Sequence, residues 1–242
     1  MNFSELQSIV NGSGNIVFFG GAGTSTESGI PDFRSADGLY ETGKGGKVPP
    51  EVMLSRDFFL EHTEEFYEFY KSRMIHRHAK PNPAHYALAD LEHRGQLQAV
   101  ITQNIDGLHT AAGSKNVLEL HGSVHRNYCM DCRKVYTLEQ ILESEGVVPY
   151  CTACGGVIKP DVVLYQEFLD INLLERATTY IANADVLIVA GTSLTVQLAA
   201  SLVRYFQGEH FILINKTPTP YDGAANYVIH DSIAKVMQEL VK

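Results

Sequence analysis

The 242-residue sequence has no apolar run long enough to cross a bilayer. A spanning helix needs about 20 consecutive apolar residues, and runs such as Val186–Ala190 fall far short of that. The opening MNFSELQSIV has no basic n-region followed by an apolar h-region, so no secretory signal is expected and a cytoplasmic location is the default. Positive charge is scarce. Lys and Arg number 19 against 28 Asp and Glu, giving a net charge of -9. An acidic surface repels phosphate backbones, which argues against general nucleic-acid binding and leaves basic protein partners open. There is no internal repeat and no low-complexity tract. Cysteine is limited to four residues. The remainder, 45% hydrophobic and 19% charged, is ordinary for a globular chain.

What is present is alternation. Short apolar runs predict strands at 16–19, Leu97–Thr102, 117–120, 162–164, Val186–Ala190, 211–215 and 226–229. Helical spacing of Phe3, Leu6, Ile9 and Val10 predicts an opening helix. Further helices are predicted within 56–78, over 84–94 with Gly95 as its stop, from an Asp170 cap to Asn183, from a Thr195 cap to Phe206, and over 232–241. Near-continuous apolar strands alternating with helices signal a parallel sheet covered on both faces, an α/β fold. Two regions break the alternation, about 35–80 and 124–160, and are expected to form a second, smaller lobe. The aromatic cluster Phe58, Phe59, Phe66, Tyr67, Phe69 and Tyr70 reads as core.

Several strings carry chemistry. The first strand runs into Gly20-Gly21-Ala22-Gly23-Thr24-Ser25, a turn whose glycines let a backbone approach a pyrophosphate. The third glycine of G-x-G-x-x-G would fall at Thr26, which argues against an ordinary dehydrogenase. Cys129-x2-Cys132 and Cys151-x2-Cys154 can grip one tetrahedral metal ion from two sides. Four thiolates leave no open coordination position, so one structural zinc is expected. Three polar clusters follow apolar strands: Gln103-Asn104-Ile105-Asp106-Gly107-Leu108-His109, His121-Gly122 and Gly191-Thr192-Ser193. Strand carboxyl ends line the ligand crevice of a parallel sheet. Of ten histidines, His62, His76, His78, His93 and His210 read as surface, and His85 as packed or capping near a helix start. His121, at a strand end beside glycine, is the candidate proton acceptor near neutral pH.

Taken together, Gly20–Ser25, Gly29-Ile30-Pro31-Asp32-Phe33-Arg34, Thr102–His109, His121-Gly122, the cysteine pairs and Gly191-Thr192-Ser193-Leu194 resemble the sirtuins, in the family's order and over nearly the whole chain. The resemblance, to the bacterial type, implies a Rossmann-like large lobe, about 1–34, 81–123 and 160–242. It implies a small lobe of a helical insertion, about 35–80, and a zinc module, about 124–159. NAD and an acyl-lysine peptide would meet between them. Ala22, Thr26 and Arg34 would contact NAD phosphates and ribose, and Phe33 would shield the sugar. Ile105 and Asp106 would line the nicotinamide pocket, beside Asn104. Gln103 would position ribose hydroxyls, and Thr192, Ser193, Asn215 and Ile233 would hold the adenosine half.

The implied reaction is protein deacylation. The acyl oxygen attacks the ribose carbon bearing nicotinamide. His121 then accepts a proton through the ribose hydroxyls, and the products are free lysine, nicotinamide and O-acyl-ADP-ribose. Asp161-Val162-Val163-Leu164 would offer an edge for backbone pairing with the peptide. Relatives often read Phe-Gly-Glu next, where this chain reads Tyr165-Gln166-Glu167. Sirtuins that remove succinyl groups carry Tyr-x-x-Arg in the acyl pocket. Tyr70-Lys71-Ser72-Arg73, read as carrying one spacer residue too many and lying in a different-looking stretch, is not expected to serve, so neutral acyl groups, acetyl first, are expected. The alternatives are an ADP-ribosyltransferase using the same NAD pocket and a non-catalytic NAD-sensing module.

Overall fold

The computed structural model describes residues 3–33, 38, 48–195 and 197–242. Its strands are β1 (Ile16–Gly20), β2 (Leu97–Thr102), β3 (Val117–Glu119), β4 (Gly122–Cys129), β5 (Val135–Thr137), β6 (Ile158–Val162), β7 (Val186–Ala190), β8 (His210–Ile214) and β9 (Tyr227–Ile229). Six of them form a parallel sheet in the order β3-β2-β1-β7-β8-β9. Period-two alternation divides their side chains between two cores. Ile16, Phe18, Ile188 and Ile212 face a core shared with helices Phe3–Gly12, Pro83–His93 and Ile233–Leu240. Val17, Phe19, Val189 and Leu213 face one shared with helix Ile171–Asn183 and the turn Leu202–Tyr205. Both faces are therefore covered, as the apolar runs require.

Local signals fix several boundaries. Asp170 Oδ1 accepts the N–H groups of Asn172 (2.8 Å) and Leu173 (3.2 Å), capping the helix that ends at Asn183. Ser232 caps Ile233–Leu240. His85 is buried and completes a capping box with Asn82. Other expectations change. The glycine-rich turn enters a 3-10 segment, Ala22–Ser28, instead of turning directly into an α-helix. The strand expected at 162–164 ends at Val162 and begins earlier, at Ile158, because β6 pairs antiparallel with β4. The helix expected from Thr195 to Phe206 is Gln197–Ser201 followed by 3-10 turn Leu202–Tyr205. Thr195 shares a hydrogen bond with the Ser193 hydroxyl at 2.7 Å.

A second sheet, β5-β4-β6, occupies the stretch that lacked periodicity. Its inner residues Val124, Tyr136, Ile158 and Val162 pack with Phe59, Phe66, Tyr67 and Tyr70 from helices Arg56–Glu61 and Thr63–Arg73. The aromatic cluster is core, with Phe66 and Tyr70 stacked at 5.5 Å. Among the described residues no helix is long and apolar enough to cross a membrane.

Candidate active site and metal centre

Strand order reverses between β1 and β7, where connections leave in opposite directions and open a crevice at the strand carboxyl ends. Gly20 and Ala190 stand in register there. The two loops that follow interlock. Gly21 N–H donates to Ala190 C=O (3.1 Å), and Gly23 N–H to Gly191 C=O (2.8 Å). Gly191 has φ +62°, and a Cβ on it would lie 2.3 Å from the Thr24 nitrogen. No other residue fits that approach without moving backbone.

Beside this turn lies a polar chain. Asn104 Nδ2 donates to Ser25 Oγ (3.0 Å), and Ser25 Oγ donates to Asp106 Oδ2 (2.6 Å). Asp106 Oδ1 accepts the Leu108 N–H at 2.9 Å. On the outer side, exposed His125 donates from Nε2 to the Asp106 carbonyl at 3.1 Å. Thr192 Oγ1 donates to Gln103 Oε1 (3.2 Å), joining the loops after β2 and β7. Gln103 Nε2 is buried with no protein partner among the described residues.

His121 sits between β3 and β4, half-buried. Its Nδ1 lies 2.9 Å from the Gln103 carbonyl. A carbonyl only accepts, so Nδ1 carries the proton and Nε2 is left as the basic lone pair. Burial lowers the His121 pKa below its ordinary value, and the Gln103 hydrogen bond offsets this in part. The ring is therefore neutral at pH 7, the state a general base needs. Its neighbour Gly122 has φ +78°, and a Cβ there would lie 1.9 Å from the Asp161 carbonyl oxygen. The His121 carbonyl accepts the Val163 N–H at 3.0 Å.

The remaining site residues named from the sequence sit on several separate elements. Ala22 opens the 3-10 segment, and Thr26 Oγ1 donates to the Gly23 carbonyl at 3.0 Å. Phe33 and Ile105 pack against the second-sheet core. Asn215 Nδ2 donates to the Thr217 carbonyl at 2.7 Å. The Ile233 side chain is buried in the core, so any contact with a ligand falls to its backbone. Arg34 lies outside the described residues. Tyr70 and Arg73 do stand at Tyr-x-x-Arg spacing, which removes the sequence argument against an acidic acyl group. Tyr70 is fully buried, its hydroxyl without a partner among the described residues, while Arg73 is exposed. Ser25, which bridges Asn104 and Asp106, carried no signal of that role in the sequence.

The four cysteines converge. All four sulfurs lie within 4.8 Å of one another, with Cys129–Cys154 at 3.4 Å and Cys132–Cys151 at 3.5 Å. Four sulfurs placed tetrahedrally about 2.3 Å from one zinc ion would stand roughly 3.8 Å apart, so the set fits zinc. The Tyr136 hydroxyl donates to Cys151 Sγ at 3.1 Å, and the Cys132 N–H to Cys129 Sγ at 3.5 Å. Such donors favour thiolates and orient them. The tyrosine is the main cause that brings the Cys151 thiol down to about 6.

The Sir2 family model matches residues 21–198. The chain is 58% identical to the NAD-dependent protein deacetylase of Clostridium acetobutylicum, over 98% of this chain and 97% of that protein. It is equally identical to that of Clostridium tetani, over 98% and 96%. Among solved structures, it is similar to Sir2 bound to a propionylated peptide, with a TM-score of 0.86 and 38% identity over 99% of this chain and 97% of that one. A Sir2–peptide–NAD+ complex gives 0.85 and 40%, over 99% and 97%. Family model, full-length identity and the interlocked crevice agree: the chain belongs to the Sir2 family, the sirtuins.

Proposed function

We propose that this chain is an NAD-dependent protein-lysine deacetylase that transfers the acyl group to ADP-ribose, releasing nicotinamide and O-acyl-ADP-ribose, with His121 as its general base. The observation that carries the reading is the fixed tautomer of His121. With Nδ1–H committed to the Gln103 carbonyl, Nε2 is free to take a proton from a sugar hydroxyl. NAD, as the second substrate, supplies an electrophilic ribose carbon and nicotinamide as leaving group. The protein's task is then to hold that carbon against an acyl oxygen and to move one proton.

The glycine turn 20–23, with Ala22 and Thr26, is the proposed pyrophosphate cradle, completed by Arg34. Its support is its place at the crevice between β1 and β7. Asn104, Ile105 and Asp106 form the proposed nicotinamide side, where Ser25 holds the Asp106 carboxylate in place. Phe33 covers the sugar, Gln103 orients its hydroxyls, and Thr192, Ser193, Asn215 and the Ile233 backbone take the adenosine half. Val163 is the proposed peptide-pairing residue. Its N–H is bound to the His121 carbonyl, so peptide edge and base share one backbone joint.

Zinc held by Cys129, Cys132, Cys151 and Cys154 would cross-link the turn after β4 to the one before β6 without entering the chemistry. We further propose the division into a large lobe, about 1–34, 81–123 and 160–242, and a small lobe, about 35–80 and 124–159. Its support is the separate core shared by the helices of the first insertion and the second sheet. A cytoplasmic location suits four thiols that must stay reduced to bind metal.

The test is incubation with NAD and acyl-lysine peptides, following free lysine and nicotinamide together. Equimolar release of both supports the reading. Nicotinamide release with ADP-ribose added to protein and no lysine freed would replace it with transfer. The peptide panel includes succinyl-lysine beside acetyl-lysine, because of Tyr70 and Arg73.

A further inference from the structure

Gln166 stands at φ +73°, the left-handed region that glycine occupies freely and other residues occupy under strain. Here the side chain makes two hydrogen bonds to one residue. Gln166 Oε1 accepts the Asp57 N–H at 3.0 Å, and Gln166 Nε2 donates to Asp57 Oδ2 at 3.0 Å. Asp57 lies in the first turn of helix Arg56–Glu61. The backbone reinforces the joint. Tyr165 N–H donates to Leu54 C=O at 3.0 Å, and Arg56 N–H to Tyr165 C=O at 2.9 Å. Strand-like pairing between Ser55 and Tyr165 is parallel.

The same segment is gripped from its other side. Glu167 Oε2 accepts the Leu164 N–H at 2.9 Å and buried Lys159 Nζ at 3.0 Å. Lys159 Nζ also donates to the Val162 carbonyl at 3.0 Å. Residues 163–167 are thus held between β6, which they follow, and a helix of the first insertion. One end of that hold is backbone and buried ion pair. The other combines two backbone hydrogen bonds with an exposed amide side chain facing a carboxylate.

We infer that Gln166 is a positioning residue which, through Asp57, locks helix Arg56–Glu61 to the peptide-binding edge and so sets affinity for extended acyl-lysine peptides without taking part in chemistry. The inference rests on the proposed deacetylase reading, in which Val163 pairs with the peptide. Glycine at 166 would relieve the backbone but leave the helix held by the two backbone hydrogen bonds alone. Gln166 accepts that strain, and the pair of hydrogen bonds to Asp57 offsets it.

The polarity of the pair gives a test. In Gln166→Glu, Oε1 can still accept the Asp57 N–H, but the donor to Oδ2 becomes a second carboxylate. Adding Asp57→Asn reverses the pair, the new amide donating to the new carboxylate, and restores both hydrogen bonds. Steady-state kinetics are measured on the full chain with NAD, using a long acetyl-lysine peptide and a single acetyl-lysine amide. Q166E and Q166G are expected to raise KM for the long peptide roughly 3- to 10-fold, the effect a net hydrogen bond supports. The KM for NAD, kcat, and turnover of the short substrate stay near parent values. The double variant Q166E/D57N is expected to return peptide KM to the parent value. Unchanged peptide KM in Q166E and Q166G, or no recovery in the double variant, overturns the role of Gln166. A parent protein that turns over no acetyl-lysine substrate overturns the deacetylase reading and this inference together.

Discussion

Acidifying the protein from about pH 7.5 to about pH 5 is expected to remove about 4 kcal/mol of folding stability through two residues, His85 and His109. Their rings pack at 4.7 Å between centroids, and His109 also meets Phe18 at 5.7 Å. Both are buried. Burial pushes His85 down to about 4, with nearby Asp106 pulling weakly the other way. Burial pushes His109 down to about 3, and His85 pushes it further in the same direction. In the unfolded chain each titrates near 6.5. The folded values lie below the unfolded one, so the unfolded chain binds protons first as the pH falls. Stability is therefore complete above about 6.5 and declines as the pH drops toward the folded values.

At pH 5 both native rings are still neutral. The loss is then set by the gap of about 1.5 units between pH 5 and the unfolded pKa, about 2 kcal/mol for each histidine. It does not depend on how deep the folded values lie. Urea unfolding of the parent, His85→Gln, His109→Leu and the double variant at the two pH values isolates the pair. Glutamine at 85 can keep the capping box. Leucine at 109 removes two ring nitrogens that have no hydrogen-bond partner among the described residues. Each single variant should shrink the pH-dependent loss by about 2 kcal/mol and the double by about 4. His121 and the carboxylates remain in every variant and cancel. Equal losses in parent and double variant would refute the reasoning.

His121→Ala is expected to lower kcat by at least about 100-fold, the usual size of a general-base contribution, while NAD binding by calorimetry and the circular dichroism spectrum persist. Because burial lowers the His121 pKa, the acidic limb of the rate profile should fall below pH 6.5, and a limb centred above 7 would contradict that assignment. Cys129→Ala should abolish stoichiometric zinc and unfold the region around the second sheet, since metal binding and folding are coupled. Elemental analysis finding no zinc in the parent would defeat this. Gly122→Ala should cost more than about 2 kcal/mol in chemical unfolding, because its Cβ would collide with the Asp161 carbonyl at a left-handed φ.

What the sequence determined by itself was everything carried by short-range pattern. Apolar runs such as Leu97–Thr102 and Val186–Ala190 coincide with β2 and β7, since a strand buried on both faces reads as a near-continuous apolar run, unbroken in β7 and interrupted only by Gln98 before the terminal Thr102 in β2. Asp170 marked a helix start because a cap acts within three residues. The Cys-x2-Cys pairs announced a metal site because both halves of each grip lie on one turn. Spacing also placed His121 at a strand end.

What only the tertiary structure decided were relations between residues distant in sequence. The strand after the cysteines was misplaced because antiparallel pairing with β4, more than local composition, starts it at Ile158. That Nδ1 of His121 is spent on Gln103, 18 residues away, and that Ser25 joins Asn104 to Asp106 across about 80, follow from packing alone. The clasp of Gln166 on Asp57 spans 109 residues. Such contacts leave no periodicity in the chain. They depend on where two backbones come to rest, and that position is set by the summed burial of two cores and a third between the insertions.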